Sequence, residues 1–206
     1  AFYGFRDFVL ALAYKGDYVK DNFLRQKYYE SDFALHTGGE KDMYFLNNRS
    51  LQEEDFHITF ADTGLETPHG ERVLRLKKYI QGDLFMVTYG DGVADIDISK
   101  LIEFHREKGK IATITGVHPT SRWGLVNVDE NGLITKLDQK PALYDYVNGG
   151  FMVFDKRFFD FLKEGDMIEN ALARLIPQGE LALYKHEGFW YGMDTYKDFL
   201  TLNELW

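Results

Sequence analysis

Short apolar runs, broken by polar and glycine-bearing segments, set the rhythm of this chain. Phe8 to Ala13 is continuously apolar, the pattern of a central strand covered on both faces. Tyr14-Lys15-Gly16-Asp17 reads as a turn, and Asp17 is placed to cap a helix from Tyr18 to about Tyr29. Glu30 to Glu53 is polar and irregular, with Gly38-Gly39 and Asn47-Asn48, and reads as a long excursion. Phe56 to Ala61 alternates as a second strand, closed by Asp62-Thr63-Gly64. Leu65 to Gly70 is a loop, and Val73, Leu76 and Ile80 recur at helical spacing between Glu71 and Ile80.

The second half keeps the alternation and adds antiparallel pieces. Leu84 to Tyr89 is a strand, Ile98 to Lys108 a helix stopped by Gly109, and Ile111 to Val117 a β-branched strand. Leu125 to Asp129 and Leu133 to Leu137 flank Asn131-Gly132, the strongest short hairpin signal. Tyr146 to Phe154 starts with a possible Asn148-Gly149-Gly150 turn and continues as a strand. Helices are expected over Arg157 to Lys163, Ile168 to Ile176 (ended by Pro177) and Thr195 to Leu205. Leu181 to Lys185 is a strand, and Gly188 to Met193 a strand or loop. Strands alternating with helices predict an α/β fold: an open, mostly parallel sheet flanked by helices, with antiparallel insertions. No repeat or linker divides it, so residues 1–206 are expected to form a single domain.

One strand end stands out chemically. The run Phe85-Met86-Val87-Thr88-Tyr89 stops in Gly90-Asp91-Gly92, delivering one carboxylate to the C-terminal edge of a sheet, where ligands of open α/β folds bind. Small neighbours let large anions approach, and a carboxylate is a hard oxygen ligand for Mg²⁺. The plain alternative is a turn in which the aspartate only bonds its own backbone.

Composition narrows the options. Of 206 residues 45% are apolar, with 17 Phe and 13 Tyr, enough for a packed core. The net charge of −9 offers no basic face for nucleic acid, but a few local cations and Mg²⁺ suffice for a nucleotide. With no cysteine, disulfides, thiolate metal sites and a cysteine nucleophile are excluded. No apolar run is long enough to span a membrane, and the first residues lack a basic leader region, so a cytoplasmic location away from membranes is expected. The chain starts without Met and stops inside an apparent helix, which reads as a fragment of a longer protein.

The segments LFMVTYGDGVADIDI (Leu84 to Ile98), NGGFMVF (Asn148 to Phe154) and HEGFWYGMDT (His186 to Thr195) occur in an order and spacing that resemble the sugar-1-phosphate nucleotidyltransferases. The nearest likeness is to the glucose-1-phosphate cytidylyltransferases, and it covers nearly the whole chain. The resemblance implies a Rossmann-like nucleotidyltransferase fold and transfer of CMP from CTP to glucose 1-phosphate, giving CDP-glucose and pyrophosphate for polysaccharide biosynthesis such as that of lipopolysaccharide O-antigen. It implies Mg²⁺ shared by Asp91 and Asp194, Lys140 on the sugar phosphate, and Arg72 and Gly90 beside Asp91 at the nucleotide. It also implies Asn148, Gly149 and Arg122 at the sugar, and a homo-oligomer. Each residue has a plainer reading beside this one: Asp194 as a helix N-cap, Lys140 as a solvated lysine, Asn148 as a turn residue, Phe189 and Trp190 as core.

The pattern also departs from the family. Gln139 stands where the family has Glu before Lys140-Pro141, and Pro68-His69-Gly70-Glu71-Arg72 replaces a Thr-Gly-Gly-Arg segment. Glu71 thereby puts an acid near the expected polyphosphate path, which leaves the base preference open. The glycine-rich triphosphate loop of the family has no counterpart in residues 1–206, so this stretch by itself is expected not to catalyse efficiently. Two other readings compete. A metal-dependent glycosyltransferase would use Asp95-Ile96-Asp97, although Asp97 is well placed to cap the following helix. A degenerate, non-catalytic domain would only bind nucleotide sugars.

Overall fold

The computed structural model describes residues 2–38, 43–46, 56–121, 123–139, 141 and 143–205. Arg122 and Lys140 lie outside the described residues. Two compact units emerge, Ala1–Gln81 with Lys163–Ile168, and Gly82–Leu162 with Glu169–Trp206.

In the first unit, β1 (Asp7–Leu12) runs parallel to β4 (His57–Asp62), with Leu12 opposite Asp62. Only Leu12 of β1 is buried, and β4 is its one strand partner among the described residues, so the expected central strand is here half-covered. An apolar run reports that side chains can be buried; it does not supply the neighbour. Helix α1 (Gly16–Glu30) starts after Lys15, whose φ of 55° is left-handed, and no side chain caps it. Asp17 therefore sits in the first turn, where its charge still favours the helix dipole, instead of capping. The irregular excursion contains a short antiparallel pair, β2 (Phe33–Leu35) with β3 (Met43–Phe45), held by an edge-to-face contact of Phe33 and Phe45. Helix α2 (His69–Leu76) begins two residues before the expected start and tightens into a 3₁₀ turn at Lys77–Tyr79.

The second unit is built on a four-stranded sheet in the order β11 (Leu181–Lys185), β7 (Ala112–Val117), β10 (Val147–Asp155), β5 (Leu84–Thr88). β11 is parallel to β7, and β10 is antiparallel to both β7 and β5. Three strands thus run the same way and one is reversed, the mostly parallel α/β arrangement with an antiparallel insertion. Alternation along β10 separates the two faces. Val153 joins Ile96 and Leu101 under α3 (Ile98–Lys108), while Phe154 stacks on Phe158 at 4.0 Å between centroids. Phe85 extends that layer, 4.8 Å from Phe159. Phe158 and Phe159 belong to a 3₁₀ segment, Lys156–Phe161, in place of the expected helix; Asp155 caps it through the Arg157 N–H. Helix α4 (Ile168–Leu175) ends in a 3₁₀ turn at Pro177. His105, buried on α3, bonds Thr113 at 2.9 Å and is a satisfied core histidine; burial lowers its pKa.

Three smaller elements complete the unit. The hairpin β8 (Leu125–Val128) with β9 (Ile134–Asp138) forms around Asn131-Gly132 as expected. β6 (Gly92–Ala94) pairs with β12 (Trp190–Gly192), and α5 (Tyr196–Leu205) closes the chain. Among the described residues, no helix is long and apolar enough to cross a membrane.

Candidate active site

The pairing of β6 with β12 decides where the acids go. Gly92 lies opposite Gly192, and the Met193 N–H donates to the Asp91 carbonyl at 2.8 Å. Asp91 therefore faces Met193 across the ribbon, with Asp194 one residue further. The backbones at two acids about a hundred positions apart in sequence are thereby brought close, and both residues are exposed. The Asp91 carboxylate makes no ion pair with a described residue. Gly90 and Gly92 do not adopt left-handed backbone, and a Cβ at Gly90 would meet nothing within 4 Å. No turn geometry demands glycine there, so their effect is to leave room beside the carboxylate.

Asp194 is not the cap of α5. Thr195 is: its Oγ1 accepts the Asp198 N–H at 3.2 Å, while the Thr195 N–H donates to Asp198 Oδ2 at 2.8 Å. This is a reciprocal capping box with Asp at its fourth position. The Thr195 hydroxyl and N–H and the Tyr191 hydroxyl hold the Asp198 carboxyl below its ordinary range. Thr195 thus does the capping that was the plainer reading of Asp194.

Tyr89, just before Gly90, escaped the sequence reading. Burial pushes its phenol up to about 12, helped by Glu169, whose carboxylate accepts its hydroxyl at 3.4 Å, and by Asp91. Gly150, with φ of 80°, packs under this ring; a Cβ there would fall 2.7 Å from Tyr89 Cδ2. Asn148 is inside β10 at a bulge, not in a turn that precedes it. Its Oδ1 accepts the Gly150 N–H at 3.1 Å and its Nδ2 points to Met152 Sδ at 3.9 Å, so its amide supports the bulge. The half-buried Trp190 donates its indole N–H to the Gly149 carbonyl at 2.8 Å, tying the ribbon to β10.

Arg72 and Glu71 belong to the first unit. The Arg72 guanidinium donates to Thr63 Oγ1 at 2.9 Å and to the Leu65 carbonyl at 3.0 Å, bracing the loop after β4. Arg75 grips Glu71 Oε1 through two nitrogens, at 3.0 and 2.6 Å, and the Gly165 N–H donates to the other oxygen at 2.8 Å. That N–H and Arg75 hold the Glu71 carboxyl below its usual range. Glu71 is thus a paired structural acid, which removes the electrostatic objection raised by its position in sequence.

Asp97 caps α3 by accepting the Lys100 N–H at 3.1 Å, as its place before the helix foretold. Asp95 instead pairs with His186 at 2.9 Å, so the two acids of Asp95-Ile96-Asp97 are committed to different partners. A cleft of about 610 Å³ opens in this unit, lined by His118, Pro141, Leu143, Tyr144, His186, Glu187 and Gly188. It lies past the C-terminal ends of β7 and β11. No cluster of three or more acidic or histidine side chains suited to a metal occurs among the described residues.

Comparison with known proteins places these features in context. The family model described as Nucleotidyl transferase matches residues 45–205. The chain is 38% identical over 209 residues to a Bacillus subtilis (strain 168) protein named "Probable glucose-1-phosphate cytidylyltransferase", covering 100% of this chain and 80% of that one. It is 35% identical over 208 residues to the glucose-1-phosphate cytidylyltransferase of Salmonella typhi, covering 99% and 79% of the two chains. Among solved structures, HddC from Yersinia pseudotuberculosis shares the fold with a TM-score of 0.62 at 17% identity, over 98% of this chain and 79% of that one.

Proposed function

Since the chain belongs to the nucleotidyl transferase family, we propose that it transfers CMP from CTP to glucose 1-phosphate, giving CDP-glucose and pyrophosphate. The observation that supports the reading is the β6–β12 pairing, which sets Asp194 one residue beyond the position opposite Asp91. The choice of CTP and glucose 1-phosphate is supported by the names of the relatives at 35% and 38% identity.

The chemistry needs little from the protein beyond placement and charge. A phosphate oxygen of glucose 1-phosphate forms a bond to the α-phosphorus of CTP, and the bond from that phosphorus to the bridging oxygen breaks as pyrophosphate leaves. The sugar phosphate is already anionic, so no general base is required. Two carboxylates with open space beside them suit Mg²⁺, which takes one or two protein carboxylates and fills its remaining positions with phosphate oxygens and water. When bound, such an ion neutralises phosphate charge. In this proposal Asp91 and Asp194 hold it, and Lys140 binds the sugar phosphate. Asn148, Gly149 and Arg122 orient the sugar. Arg72 and Gly90 serve the nucleotide; Arg72 uses two of its five N–H donors in the loop and keeps others for a phosphate.

The test is product formation. Full-length protein with Mg²⁺, glucose 1-phosphate and each nucleoside triphosphate in turn should release pyrophosphate fastest with CTP, with CDP-glucose identified by mass. Preference for another nucleotide would overturn the CTP assignment. No pyrophosphate with any nucleotide and any sugar 1-phosphate would overturn the reaction itself.

A further inference from the structure

The ribbon that unites Asp91 and Asp194 has only three residue pairs, Trp190 with Ala94, Tyr191 with Val93 and Gly192 with Gly92. So short a two-stranded ribbon does not hold its own register in water. A slip of one residue would turn the side chains of one strand to the other face and change where Asp194 stands relative to Asp91. Something must pin its far end.

That end meets a single imidazole. His186 follows β11, and its N–H donates to the Gly116 carbonyl at 2.9 Å, fastening it to the four-stranded sheet. Its side chain is only 11% exposed. Nε2 lies 2.9 Å from Asp95 Oδ1 and 3.2 Å from the Phe189 carbonyl. Both neighbours are acceptors, so Nε2 carries the proton and donates to both. Asp95 directly follows β6 and Phe189 directly precedes β12, and the Asp95 N–H also donates to the Phe189 carbonyl at 3.2 Å. One ring therefore grips both strands where they enter the ribbon. Gly188 leaves the space: a Cβ there would fall 2.5 Å from Asp95 Oδ1 and 2.8 Å from His186 Cε1. The Trp190 bond to Gly149 adds a second hold nearer the middle.

We infer that His186 is a positioning residue: it clamps the ribbon in the register that sets Asp194 one residue beyond the position opposite Asp91, and so raises the affinity of that pair for a divalent cation. The inference rests on the proposed metal role of the two acids and extends it to a residue that touches neither cation nor substrate. Residues that orient metal-holding groups from behind typically change metal affinity 10- to 100-fold when removed.

The experiment compares wild type, His186→Ala and His186→Gln in the full-length protein. Mn²⁺ binding is followed by electron paramagnetic resonance, and amide exchange at Met193, whose N–H crosses to Asp91, by hydrogen exchange in the metal-free state. His186→Ala should bind Mn²⁺ about tenfold more weakly and exchange Met193 faster, with kcat at saturating metal close to wild type. His186→Gln retains an N–H donor and should restore both. Unchanged Mn²⁺ affinity in His186→Ala overturns the inference, whether or not Met193 exchange changes. If wild type fails to bind Mn²⁺, the metal role of the acids falls; Met193 exchange then still decides whether the clamp exists.

Discussion

Asp91 and Asp194 carry the proposed chemistry as two exposed carboxylates brought to one end of the β6–β12 ribbon: Gly90 crowds nothing beside Asp91, and Thr195 is the side chain that caps α5. Asp91→Asn or Asp194→Asn should each lower kcat at least about 100-fold, a loss of roughly 2.7 kcal/mol of transition-state stabilisation, with circular dichroism unchanged. Tyr89 offers a separate check. Its folded pKa, pushed up to about 12, exceeds its unfolded value near 10. The unfolded chain thus loses the proton first, so the stability Tyr89 contributes is complete below about pH 10 and fades between about 10 and 12. Ultraviolet titration of phenolate, as the difference between wild type and Tyr89→Phe, should show one tyrosine ionising late. Chemical type was legible at this scale: the sequence pointed to Asp91 as a carboxylate with room around it. What each side chain is paired with was not. Glu71 looks like a loose acid in sequence and is gripped by Arg75, and Asn148 looks like a turn and braces a bulge.

Helix ends and strand partners behaved differently at the scale of elements. Helix α3 was readable from end to end, because Asp97 caps it and Gly109 stops it by local bonds alone. The start of α1 was not, since a left-handed Lys15 opens the helix with no side-chain cap and Asp17 falls inside its first turn. For α5 the Thr195–Asp198 box predicts that Thr195→Ala lowers unfolding stability by about 1 kcal/mol, measured by chemical denaturation. Thr195→Ser should retain most of it. Strands β6 and β12 are three residues each, too short for periodicity to reveal, and their pairing is a long-range event.

For the molecule as a whole, acidity shapes what it can bind. A net charge of −9 opposes a polyphosphate, and the proposed site adds two carboxylates beside it. Removal of divalent cations with a chelator should therefore abolish both CTP binding in calorimetry and turnover, and Mg²⁺ should restore them; binding that persists undiminished in chelator would contradict the site. The sequence by itself determined the alternation of strands and helices, the hairpin at Asn131-Gly132 and the kinds of groups available for chemistry. These follow from local periodicity, turn geometry and side-chain identity, all written within a few neighbouring residues. Tertiary structure alone decided that β10 runs against its neighbours, that Asp194 arrives next to Asp91, and that His186 reaches both strands that bring them together. Those outcomes depend on contacts between segments far apart in the chain, whose pairing no local pattern encodes.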